Sequence, residues 1–254
     1  MTRDWDAGTY HRVSDVHTEW AEQVLGRLPR IETVLDAGCG SGRVTAMLLE
    51  RCAHVVAVDA APSMVAHAQA ALGKRATVLQ ADLLALELDE PVDAVFSNAV
   101  FHWVPDHPRL FERLHAALKP GGRLEAQYGG KGNVGKFHDA ASEVGAEEPF
   151  AAYLDGWVGP WNFTAAEQAH GWLEDAGFVD VRAWLEEWPM TPREPRDYIR
   201  TVCLGHHLER LPESLRPAYV DAVADRMPPE IDYVRLNVSA RRPGPALHQK
   251  GPTQ

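Results

Sequence analysis

Cysteine is scarce in this chain: Cys39, Cys52 and Cys203 are three among 254 residues, too few and too scattered for a disulfide framework or a zinc site, and they fit a reducing compartment. Long apolar runs are missing too. No stretch reaches the length that spans a bilayer, and the opening Met-Thr-Arg-Asp-Trp-Asp carries no apolar signal region, so a cytoplasmic protein without a membrane partner is expected. Positive charge is in deficit, with 25 Lys and Arg against 36 Asp and Glu and a formal net charge of -11. Such a surface repels a nucleic-acid backbone, so a nucleic-acid partner is not expected. What remains is an ordinary globular balance, 45% hydrophobic and 24% charged, which supports a packed core without staples.

Periodicity divides the chain. Val16, Trp20, Val24, Leu25 and Leu28 share one helical face and predict a helix over 15–28. Short apolar runs that end in acids or glycines follow at 33–37, 54–59, 76–80, 93–98 and 122–128, as strands buried on both faces would read. Helical stripes separate them at 42–51, after Pro62, and at 107–118. Alternation of this kind implies a doubly wound α/β core with a mostly parallel sheet. Residues 134–163 are irregular in pattern. Beyond them a helix is expected at 164–176, a strand at 179–186, helical sequence at 196–226 broken at Pro212 and Pro217, and an alternating strand at 231–241. The chain therefore reads as N-terminal cap helices (1–30), one domain (31–242) with lid insertions at about 129–163 and 189–229, and a disordered tail (243–254). Monomer and homodimer stay open.

Three acids stand at or just past the carboxyl ends of the first three strands: Asp36, Asp59 and Asp82. That edge of an open α/β sheet is where ligands bind. Gly38, Gly40 and Gly42 let the backbone approach a ligand, and the helix after them offers free N–H groups. Asp59 is placed for a ribose diol; Asp82, with Leu83 beside it, is placed for an adenine. A dinucleotide fingerprint would need glycine at position 43, where Arg43 stands. Asp36 would also repel a pyrophosphate, whereas it suits a ligand carrying an ammonium and a sulfonium. S-adenosylmethionine is the cofactor that fits, with S-adenosylhomocysteine as product.

The run Val34-Leu-Asp-Ala-Gly-Cys-Gly-Ser-Gly-Arg-Val-Thr45 resembles the first motif of class I S-adenosylmethionine-dependent methyltransferases. Val58-Asp59 with Pro62 and Met64 resembles their ribose segment, Gln80-Ala-Asp-Leu83 their adenine segment, and Leu118-Lys-Pro-Gly-Gly122 the turn before strand five. The resemblance implies a seven-stranded sheet with an antiparallel last strand, and cofactor contacts at Asp36, Ala37, Gly38, Gly40, Gly42, Asp59, Ala60, Met64, Asp82, Leu83, Asn98 and Ala99. Ser97–His107 and Arg235–Arg242 are similar to segments of the trans-aconitate methyltransferase group, which implies a small-molecule acceptor and methyl-ester formation on a carboxylate.

A carboxylate is ionised near pH 7 and needs orientation rather than a base. Arg235 is the candidate anchor; an ion pair at the surface or between strands is the plainer reading. Trp103, Trp157 and Trp161 are candidates for the acceptor wall, with ordinary packing as the alternative, and Trp188 is read the same way. Tyr10, His17, His102 and Trp103 are the catalytic candidates; Tyr10 and His17 fall in the segment that folds over the cofactor in similar enzymes, and His17 stands where the group suggests glutamine. No metal is expected, because His206 and His207 are adjacent, point apart on a helix and lack a third ligand. Two rivals stay open: a phenol O- or amine N-methyltransferase of natural-product metabolism using His102 or His17 as base, and a non-catalytic module that binds the cofactor.

Overall fold

The computed structural model describes the backbone of residues 15–245 and the side chains of residues 20–245. Seven strands form one sheet: β1 (Ile31–Ala37), β2 (Cys52–Asp59), β3 (Thr77–Gln80), β4 (Val92–Asn98), β5 (Leu118–Gly129), β6 (Val179–Glu187) and β7 (Val234–Arg241). Their order is β3-β2-β1-β4-β5-β7-β6, with β1 to β5 parallel and β7 antiparallel to both of its neighbours. The chain reverses direction across the sheet between β1 and β4, the switch point where open α/β sheets bind ligands.

Burial explains the strands. Val34, Leu35 and Ala37 of β1 and Ala94, Val95 and Phe96 of β4 are at most 1% exposed, since helices cover both faces. On one side lie α1 (Asp15–Arg27), α2 (Arg43–Leu48) and α3 (Pro62–Leu72), around Ala21, Val24, Leu25, Leu48 and Ala68. On the other lie α4 (His107–Ala117) and α7 (Ala166–Asp175), around Leu110, Phe111, Leu114 and Leu173. A further apolar cluster is built from α5 (Gly135–Gly145), α6 (Ala151–Leu154), α8 (Pro195–Tyr198), α9 (Gly205–Arg210) and α10 (Arg216–Arg226), with Trp20 and Tyr233 joining it. No helix among the described residues is long and apolar enough to cross a membrane.

Three expectations change. Half of residues 134–163 are helical, in α5 and α6, and Phe137, Ala140, Ala141 and Val144 form the buried stripe of α5. β5 runs one residue past the expected strand end, to Gly129, and Gly130 bridges to Thr164. A Cβ on Gly129 would lie 2.6 Å from Phe163 and one on Gly130 2.5 Å from Leu185, so both glycines permit close packing. Finally, of the two expected breaks the one at Pro212 is present, where the chain turns extended after α9, whereas Pro217 sits in the first turn of α10, where its missing N–H costs nothing, and does not break a helix. A π-helical turn at Ile199–Cys203 adds an irregularity between α8 and α9.

Candidate functional site

A cavity of about 510 Å³ runs along the carboxyl edge of the sheet, from the tips of β3, β2 and β1 past β4 to the start of β7. Its two ends differ in chemistry.

At the first end the chain leaves β1 in a tight turn. The N–H groups of Gly38 and Cys39 both donate to the Val58 carbonyl, at 2.8 and 2.9 Å. Gly38 holds φ at +88°, and a Cβ there would lie 2.3 Å from the Val100 side chain. Gly38 and Gly40 line the cavity. Gly42 and Ala37 do not: a Cβ on Gly42 would press on Leu72 and Ala68 of α3 at 3.0–3.3 Å, and Ala37 is fully buried with its carbonyl accepting from Ser97 Oγ. The third glycine lets the start of α2 pack closely on α3.

The acids are fixed by their neighbours. Asp59 accepts from the Gly40 and Ala61 N–H groups, one on each oxygen, both at 2.9 Å. A carboxylate has about four acceptor sites, so these bonds leave room for a hydroxyl. Asp36 is 2% exposed, accepts from Thr45 Oγ1 at 2.7 Å, and is pushed up to about 7 by burial, with a smaller push from Asp59 and an opposing effect of the Thr45 hydrogen bond. Asp82 is exposed at the cavity rim and caps the turn holding Leu83, accepting from Leu84 N–H at 2.9 Å. Ala60, Met64, Leu83, Asn98 and Ala99 complete this wall. Ala99 has φ of +61° and donates to the Gln127 carbonyl at 2.7 Å, a strained residue held at the tip of β4. Two carboxylates facing a nucleoside-sized space, with open backbone at Gly40 where a Cβ would touch nothing, fit S-adenosylmethionine.

At the other end stand His102, Trp103, Trp161 and Arg235, together with Asn133, Phe163, Val202, Cys203 and Tyr233, which sequence reasoning missed. Arg235 is 2% exposed and lies over the Trp20 ring at 4.6 Å, so the surface reading fails. The start of β7 is set by Asn133, whose Oδ1 accepts from Val234 N–H at 3.0 Å. His102 is buried; its Nδ1 accepts from Gly129 N–H at 3.2 Å and its carbonyl from Asn162 N–H at 2.8 Å. Trp103 is stacked on His206, and Trp161 on Phe163 at 5.9 Å. Trp157 is not on the wall; it packs against His207 with Arg210 over its ring. Trp188 is likewise off the wall, edge-on to Trp20.

His206 and His207 part as expected. His207 is buried beside Trp157 and Tyr219, and burial, with nearby His138, depresses its pKa to about 3. Among the described residues no group of three metal-ligating side chains exists. Tyr10 and the side chain of His17, which belongs to α1, lie outside the described residues.

Known proteins agree with this geometry. Residues 35–126 match the model of a family described as a methyltransferase domain. Trans-aconitate 2-methyltransferase of Azoarcus sp. (strain BH72) is 35% identical, covering 91% of this chain and 94% of the relative. The enzyme of the same name from Methylobacterium nodulans is 32% identical over 94% and 98%. Among solved structures, phosphoethanolamine N-methyltransferase 2 of Haemonchus contortus in complex with S-adenosyl-L-methionine superposes with a TM-score of 0.61 at 21% identity, covering 93% of this chain and 56% of that one. A putative methyltransferase of Bacillus halodurans gives 0.60 at 18%, over 88% and 98%. The seven-stranded order with its antiparallel seventh strand is the class I methyltransferase fold. The protein is thus an enzyme using S-adenosylmethionine, which sets aside the non-catalytic module; it belongs to the class I methyltransferases, in the family that holds the trans-aconitate 2-methyltransferases.

Proposed function

We propose that the enzyme methylates a carboxylate oxygen of a small molecule and releases a methyl ester. The observation that carries this reading is the division of charge along the cavity. Among its described lining residues the acids are Asp36, Asp59 and Asp82, all at the tips of β1 to β3, while Arg235 lies buried at the opposite end. Asp59 then receives the ribose diol, Asp82 and Leu83 the adenine, and Asp36 with the backbone of Gly38 and Gly40 the amino-acid end of the cofactor. S-adenosylmethionine supplies, when bound, an electrophilic methyl group on sulfur.

The residues at the other end suit an acceptor that is already an anion. Arg235 offers a planar fork of donors to a carboxylate, and its ring contact with Trp20 holds that fork in place. His102 accepts at Nδ1, so a neutral ring carries its hydrogen on Nε2 and donates. A donor orients a carboxylate; it does not take the proton of a phenol. A carboxylate oxygen forms the new bond to carbon as the C–S bond breaks, the electron pair stays on sulfur, and no proton moves. The aromatic wall keeps water out while nucleophile, methyl and sulfur align. The relatives named for trans-aconitate, itself a carboxylate, point the same way.

The test is transfer of labelled methyl groups to carboxylic acids, phenols and amines, followed by mild alkali. Label released as methanol supports the ester. Alkali-stable label on phenols or amines, with none on acids, overturns it.

A further inference from the structure

Resting on the carboxylate reading, we infer that the Tyr233 hydroxyl is a further donor to the acceptor, working beside Arg235, and that Tyr198 is the positioning residue that holds it. Tyr233 lies just before β7, two residues from Arg235, and side chains at that spacing on extended chain share one side. Both residues line the cavity and both press on Trp20, Arg235 at 4.6 Å and the Tyr233 ring at 4.8 Å. The backbone of Tyr233 is fixed as well. Its N–H donates to the Ile231 carbonyl at 3.1 Å, and its carbonyl accepts from Trp188 N–H at 2.7 Å. One aromatic platform thus sets a guanidinium and a phenol side by side.

The hydroxyl is held from the two ends of one irregular turn. Tyr198 closes α8, and Cys203 closes the π turn that follows, in which Leu204 N–H donates to the Ile199 carbonyl at 2.8 Å. Turns of this kind recur at functional sites. Tyr198 Oη stands 2.7 Å from Tyr233 Oη. Cys203, which also lines the cavity, is pushed up to about 12 by burial, and a hydrogen bond from Tyr233 opposes this, so the hydroxyl lies against the sulfur. Burial holds Tyr233 itself well above its ordinary range, with Tyr198 and Cys203 adding to this and Arg235 opposing it. The phenol therefore keeps its hydrogen and is a donor, not a base. With Tyr198 donating into it, Tyr233 turns its own hydrogen toward Cys203. A thiol sulfur is a weak acceptor and a carboxylate oxygen a strong one, so an acid that reaches Arg235 draws that hydrogen to itself.

The experiment measures kcat and KM for Tyr233→Phe and Tyr198→Phe in the full-length enzyme, with thermal unfolding of each. The acceptor is whichever of trans-aconitate, fumarate, benzoate and cinnamate the parent enzyme methylates best. Both variants keep the ring, so the fold is expected to stand, and both lose the bond between the hydroxyls. Only Tyr233→Phe loses the donor. It is expected to raise acceptor KM about tenfold, with kcat and cofactor KM within about twofold, whereas Tyr198→Phe raises acceptor KM less than about threefold at a similar loss of unfolding temperature. Equal acceptor KM in the two variants, or no rise in Tyr233→Phe, makes the pair a structural contact, which overturns this inference and leaves the carboxylate reading standing. Methyl transfer by the parent enzyme to phenols or amines alone, or to none of the acids, overturns both.

Discussion

The two ends of the cavity are assembled in different ways. The cofactor end is drawn from Asp36 to Leu83, with the β4 tip added, so its parts arrive in chain order at neighbouring strand ends. The acceptor end takes His102, Asn133, Trp161, Val202 and Arg235 from distant segments that meet only when the helical cluster packs over the sheet. A site made of consecutive strand tips resists change in the surrounding chain. A site made of packed insertions changes with every substitution beneath it, which is how one fold comes to serve many acceptors.

The sharpest way to break the cofactor end is Gly38→Ala. A Cβ at φ +88° and 2.3 Å from Val100 combines backbone strain with overpacking, for a loss of up to about 6 kcal/mol. Chemical denaturation should show this, with Val100→Ala in the double variant recovering the steric part and not the backbone part. A single variant as stable as the parent would mean that Val100 does not close on the loop.

Asp36 gives the next largest effect, through pH. The folded carboxyl keeps its proton to about pH 7, whereas its ordinary value is 3.8, so the folded state binds the extra proton between those values. Stability therefore falls as pH rises from about 4 to about 7 and levels off above, by up to about 4 kcal/mol at full burial. Asp36→Asn should flatten the curve. Cofactor binding reverses the balance, because a cationic ligand favours the ionised carboxylate. Affinity for S-adenosylmethionine should rise through about pH 7 with release of a proton, measured by calorimetry in buffers of different ionisation enthalpy, and S-adenosylhomocysteine, without the sulfonium charge, should show less of it.

These two residues were legible in the sequence because local pattern dictates them: apolar runs ending in glycine or acid mark buried parallel strands, and the ligand edge follows from topology. The acceptor end was legible only in part. Trp161 and Arg235 stood out by residue type, but nothing local distinguishes Trp161 on the wall from Trp157 behind it; packing against His207 decides that. Asn133 carries no signal of its own, since its role is a hydrogen bond to Val234 a hundred residues away. The helix α5 did leave one, in the spacing of Phe137, Ala140, Ala141 and Val144, masked by small residues and by the glycines before it. The π turn that brings Val202 and Cys203 to the cavity has no counterpart in hydrophobic period.

Arg235→Gln tests the acceptor end directly. Losing a charged fork costs about 1.5–3 kcal/mol, or roughly 10- to 100-fold in acceptor KM. Cofactor affinity should hold within about twofold by the same arithmetic, because Arg235 lies at the opposite end of the cavity from the three acids. Equal losses in both would join the two ends into one site and weaken the comparison.

The smallest expected effect separates two acids of the same end. Asp59 is held by backbone N–H groups of the Gly40 and Ala61 loops and largely shielded from water, whereas Asp82 is exposed and caps the turn at Leu83. If Asp59 receives the ribose as proposed, Asp59→Ala removes those hydrogen bonds along with its loop contacts, and cofactor affinity should drop by about 1–3 kcal/mol. With Asp82 on the adenine as proposed, Asp82→Ala exchanges one contact for water at the rim, and about 0.5–1 kcal/mol is the expected loss. Titration of both variants with S-adenosylhomocysteine decides the order. If Asp82→Ala proves the more damaging, the adenine and not the ribose anchors the cofactor, and the rim of β3 rather than the floor at β2 is where binding specificity resides.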